Sequence, residues 1–155
     1  MADYQIDARR VREIRVGREG ETLATFRRKG RLVQDLEGEC GRESYALKLP
    51  APWRGMRYRL EQEGRELASA SRPKARDRIV RFEVETPGRK LELVAQDRLG
   101  LEYRLLEAGE ERARLTQRDF GEHDEWTADL QMREESPALA AFVAWLVQEG
   151  RRLQG

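Results

Sequence analysis

The stretch 136-SPALAAFVAWLVQEG-150 decides the fold of this chain. From Ala138 to Val147 it holds no polar residue, so a helix built from it has no side that prefers water. An ordinary surface helix carries one apolar stripe and a polar back. Helix signals frame the run. Ser136 suits the N-cap and Pro137 the first turn, with Glu134 and Glu135 just ahead, where the positive end of a helix dipole favours acid. Gly150 suits the position after the last turn, followed by Arg151 and Arg152 at the negative end. The sequence therefore predicts a helix over 137–149. At 1.5 Å per residue it reaches about 20 Å, short of the roughly 30 Å core of a bilayer. A buried helix is the expectation, and burying Leu139, Phe142, Val143, Trp145, Leu146 and Val147 contributes on the order of 10 kcal/mol.

Such a helix needs a wall on every side, and the preceding chain supplies alternating segments. Tyr45, Leu47 and Leu49 alternate with Ser44 and Lys48; Met56, Tyr58 and Leu60 with Arg57, Arg59 and Glu61. Val80, Phe82 and Val84 stand against Arg81, Glu83 and Glu85, and Leu91, Leu93 and Ala95 repeat the pattern. So do Leu101, Tyr103 and Leu105, and then Trp126, Ala128, Leu130 and Met132. Period two places one face of a strand in a core and the other in water. Gly-rich breakers separate the segments, among them GREG (17–20), EGECG (37–41), EQEG (61–64), TPG (86–88) and EAGEE (107–111). This rhythm predicts a mainly β fold: a ten- to twelve-stranded antiparallel barrel or strongly curved meander sheet, wrapped around the buried C-terminal helix. Residues 65–78 fit least well, because Leu67 alternates only with small residues and Pro73 interrupts a central strand; an edge strand followed by a basic loop is expected there.

The 155 residues fit one domain, 1–155, on length alone. Thirty Lys and Arg stand against 29 Asp and Glu, so no chain-wide attraction to nucleic acid is expected. The distribution is uneven, +6 over residues 1–78 and −5 over residues 79–155. Cys40 is the single cysteine, which rules out an intrachain disulfide and a multi-cysteine zinc site. MADYQIDARR has no apolar signal core, and a cytoplasmic location is the expectation.

The last strand and helix, DEWTADLQMREESPALAAFVAWLV (124–147), resemble the tubby C-terminal-like superfamily, which includes the tubby proteins, the phospholipid scramblases and the LURP-one-related proteins. Upstream, ATFRRKGRLVQ (24–34) is similar to a basic hairpin of LURP-one-related chains. The resemblance implies a twelve-stranded antiparallel barrel around a hydrophobic C-terminal helix, as in short bacterial members. Some tubby proteins bind phosphoinositides through basic residues, but those positions have no match in this sequence.

Candidate chemistry is sparse. Two basic clusters, Arg27, Arg28, Lys29 and Arg31, then Arg72, Lys74, Arg76 and Arg78, are suited to gripping phosphates; the plainer reading is charged hairpin tips that discourage edge pairing. RDFGEHDE (118–125) gathers Asp119, Glu122, His123, Asp124 and Glu125, but its spacing matches neither an EF-hand nor a zinc pattern, so an acidic turn is expected and no metal or other cofactor. No GxSxG elbow, GxGxxG or P-loop occurs, and Cys40 reads as a bland thiol. The expected function is a non-enzymatic binding or scaffold domain, not an integral membrane protein, that meets anionic phospholipid headgroups or a protein partner through a basic outer face. The alternatives are a carrier barrel for a small apolar ligand and, behind it, a metal-dependent enzyme using the 118–125 turn.

Overall fold

The computed structural model describes residues 2–9, 13–30, 35–50, 57–72, 79–97, 100–120 and 125–154. Twelve strands run in chain order: β1 (Ala2–Arg9), β2 (Glu13–Arg18), β3 (Glu21–Arg28), β4 (Leu36–Cys40), β5 (Glu43–Lys48), β6 (Tyr58–Gln62), β7 (Arg65–Ser71), β8 (Arg81–Thr86), β9 (Arg89–Ala95), β10 (Glu102–Glu107), β11 (Glu110–Phe120) and β12 (Trp126–Met132). They are followed by one helix, α1 (Pro137–Gln154). Every strand pairs antiparallel with its sequence neighbour, and β1 pairs with β12, for example Tyr4 with Leu130. The meander therefore closes into a barrel.

The alternation places each strand's apolar set inside. Phe82 and Val84, Leu91 and Leu93, Tyr103 and Leu105, and Trp126, Ala128, Leu130 and Met132 are all buried. Inside them runs α1, buried from Ala140 to Gly150 without interruption. Tyr58 meets Trp145 and Phe82 edge-on, at 5.4 and 5.7 Å between ring centres, locking β6 and β8 to the helix. The Trp126 indole N–H donates to the Gln148 side-chain oxygen, which holds β12 to the helix's last turns.

Two expectations need correction. β7 is not an edge strand: it pairs with both β6 and β8, and a closed barrel has no edges. Pro73, the residue that argued against a central strand, lies beyond the strand's end and outside the described residues. The helix also does not stop at residue 149. Ser136 caps its start as expected, its hydroxyl accepting from the Leu139 N–H at 3.2 Å. At the other end Gly150 is helical and buried, because it is a contact point and not a terminator. A Cβ there would stand 2.8 Å from a Val80 methyl carbon, so the missing side chain lets the helix backbone approach the chain entering β8.

The two ends of the barrel are built differently. At the end where α1 enters, two-residue connections dominate. One hairpin design occurs three times, in β2–β3, β6–β7 and β10–β11. Each has a positive-φ pair at its tip (Glu19–Gly20, Glu63–Gly64, Ala108–Gly109). Each also has a register shift three residues before that tip, after Val16, Leu60 and Leu105. Bulges increase local twist and coiling, and these recur every four strands around a twelve-strand ring. At this rim Arg89 joins Glu107 at 2.7 Å and also pairs with Glu134, while Arg112 joins Glu107 at 2.8 Å and Arg133 joins Glu110 at 2.5 Å. The network ties β9, β10 and β11 to the turn that launches the helix.

Gly150→Ala should lower stability by about 1–2 kcal/mol, because overpacking against Val80 outweighs the better helix propensity of alanine; urea unfolding of the two proteins measures it. The rim network carries a pH signature. Arg89 and Arg133 hold the Glu107 and Glu110 carboxyls below their ordinary value of 4.5. A carboxyl held low in the folded state stabilises it above the unfolded value and loses that contribution as pH falls through the folded one. Stability measured by denaturant titration should therefore drop as pH falls below 4.5, and Glu107→Gln should flatten that limb.

Candidate functional site at the rim opposite the helix entry

Strands β1, β3, β5 and β7 end, and β2, β4, β6 and β8 begin, at the rim opposite the helix entry. The chain joining them is longer there: residues 10–12, 29–35, 49–57 and 72–80. By sequence these four consecutive connections carry ten Lys and Arg against two Asp and Glu. The other two connections on this rim, 96–101 and 121–125, carry one basic residue against four acidic ones. The six connections at the opposite end carry two Lys and Arg against four Asp and Glu. By sequence, the basic residues of the connections are therefore concentrated in the four that join β1 through β8 at this rim. Both basic clusters belong to these connections by sequence, because β3 and β7 run in the same direction and end at the same rim, with β4, β5 and β6 between them.

Arg27 and Arg28 lie at the end of β3, and Lys29 and Arg72 just beyond β3 and β7. Arg31, Lys74, Arg76 and Arg78 lie outside the described residues. The Arg27 guanidinium donates to Glu13 at 2.8 Å, and Lys29 pairs with Glu37 at 3.3 Å. Burial pushes the Glu13 carboxyl up, but Arg27 and Arg15 outweigh it and hold the group below its ordinary value. Arg28 makes an interaction of its own. Sequence reasoning missed Arg57 and Ile79 as members of this rim. Both are exposed, and Ile79, at 42%, is the one exposed large hydrophobic among the described residues. Its signal was a position just outside an alternating strand and beside a basic run.

The acidic turn of 118–125 is also at this rim. Asp119 accepts from the Thr127 hydroxyl at 3.5 Å, Glu125 precedes β12, and Glu122, His123 and Asp124 lie outside the described residues. No group of three His, Cys, Asp or Glu that could hold a metal occurs among the described residues. Cys40 is half-buried at the opposite end, and burial, with Glu43 nearby, pushes its thiol up to about 11. No helix among the described residues is long and apolar enough to cross a membrane. On the outer wall, an open groove of about 790 Å³ over β3–β6 and the β6–β7 turn sets Arg27 and Lys48 against Glu37, Glu39, Glu61 and Glu63, so its lining is net acidic and does not suit an anion.

Comparison of the chain with protein-family models, curated proteins and solved structures returned no match. The Cys40 environment yields a direct expectation. With its thiol near 11 instead of the ordinary 9.0, Cys40 should alkylate about a hundredfold more slowly at neutral pH than an unperturbed thiol, since the thiolate is the nucleophile. Mass spectrometry of an iodoacetamide time course measures the rate.

Proposed function

We propose that this chain is a non-enzymatic, cytoplasmic binding module that rests the rim opposite the helix entry on membranes bearing anionic phospholipid headgroups. Membership of the tubby C-terminal-like superfamily is part of this reading, and the twelve-strand barrel around a C-terminal helix is the architecture that resemblance implies. The observation that carries the proposal is that β3 and β7, from which both basic clusters continue, end on one rim that also exposes Arg57 and Ile79. Basic residues near an anionic surface contribute about 1 kcal/mol each, and an apolar side chain among them adds burial at the headgroup boundary. An apolar-ligand carrier has less support, because α1 occupies the lumen where the ligand would sit.

Vesicle flotation tests the proposal. The full chain is expected to float with phosphatidylcholine vesicles containing phosphatidylserine and to stay down with phosphatidylcholine alone. Neutralising Arg28, Lys29 and Arg57 to Gln should weaken binding about fivefold per charge, and Ile79→Ser should weaken it without changing charge. Binding indifferent to all four substitutions, or no flotation of the wild type, would overturn it.

A further inference from the structure

At the end of the lumen opposite the helix entry the apolar lining gives way to polar groups without partners among the described residues. Tyr103 on β10 is fully buried and its hydroxyl has no hydrogen-bond partner among the described residues. Gln117 on β11 is 6% exposed, and neither its side-chain oxygen nor its nitrogen has a partner among the described residues. Tyr103 lies opposite Leu115, and the Gln117 N–H donates to the Leu101 carbonyl at 2.8 Å, so Tyr103 and Gln117 are diagonal neighbours on the inner face. Arg72 stands half-buried just beyond the end of β7, and its Nε is buried without a partner among the described residues. The charges around the Tyr103 hydroxyl are Arg151, Asp97 and Arg72. Gly150 brings the helix up to it: a Cβ there would stand 3.4 Å from the hydroxyl oxygen. Asp97 is engaged by the Leu101 N–H at 3.0 Å, and Glu149, buried on the same helical turn, has an interaction of its own.

Buried polar groups are nearly always partnered, so an unpartnered set at one place points to a guest. The set is rich in donors: a phenol O–H, a carboxamide NH₂ and a guanidinium N–H, against the amide oxygen and the phenol oxygen as acceptors. Burial keeps the phenol protonated, pushing it up to about 12. A donor-rich site with a guanidinium selects an acceptor-only anion over water.

We propose that Tyr103, Gln117 and Arg72 form a socket beneath the rim opposite the helix entry for one phosphate group, free or carried on a lipid headgroup. In its lipid form the socket rests on the function proposed above; in its free form it does not.

Calorimetric titration of the full chain with inorganic phosphate, beside flotation with phosphatidic acid vesicles, tests it. Saturable phosphate binding is expected, weakened about tenfold or more in Tyr103→Phe and in Gln117→Leu. Without phosphate both variants should unfold at the wild-type denaturant concentration or higher, because the groups removed have no partner to lose. Arg28→Gln with Lys29→Gln should leave phosphate affinity intact while reducing flotation. Flotation on phosphatidic acid that also depends on Tyr103 assigns the guest to a headgroup; flotation that does not, beside Tyr103-dependent phosphate binding, assigns it to the free ion. The socket is overturned if neither phosphate nor phosphatidic acid shows any dependence on Tyr103 and Gln117. It is overturned equally if the variants are destabilised without phosphate, since the groups then serve the fold alone. Phosphate binding without any flotation would retire the membrane reading and leave the socket standing.

Discussion

A helix with no water-facing side constrains everything else in this molecule. Between Ala140 and Gly150 every residue of α1 is buried. A single flat sheet covers one face of such a helix and leaves the rest exposed, at a cost set by apolar area. A closed ring of strands covers all of it. Twelve strands leave a lumen wide enough to need a filler, and the helix is that filler, so barrel and helix depend on each other. Gly150 marks how close the fit is, since one added methyl group would meet Val80.

Closure also produces the asymmetry on which the functional reading rests. In an up-and-down barrel all odd-numbered strands end at one rim, so six connections fall at each end. Short positive-φ turns with bulges shape the helix-entry rim, where Arg89, Arg112 and Arg133 satisfy its carboxylates. The longer connections gather at the far rim and bring most of the loop-borne positive charge with them, between β1 and β8. A near-neutral chain thereby carries ten of its thirteen loop-borne basic residues in four consecutive connections.

Much of the fold was legible because its two periodicities are clean. The alternation of Trp126, Ala128, Leu130 and Met132 predicted their common burial, and Ser136 predicted the cap. The errors have specific causes. Gly150 read as a terminator because sequence cannot tell a glycine needed for its backbone freedom from one needed for its lack of a side chain. Pro73 cast doubt on β7, although it follows the strand and does not interrupt it. The site was less legible. Two basic clusters were visible, but which end of the barrel each belonged to depended on strand parity, which required the full strand count. Gln117 offered a signal that went unread: it follows Ala113 and Leu115 on the inward side of β11, a polar residue where the pattern calls for an apolar one.

Native-state hydrogen exchange of the α1 amides tests the central claim most directly. If the helix is the axis of the fold, the amides of Ala141 to Val147 exchange only through global unfolding, with a free energy equal to that of denaturant unfolding and to that of the most protected strand amides. Exchange of these helix amides by a cheaper local route, while the barrel strands remain protected, would show that the barrel stands without its filler and would contradict the account.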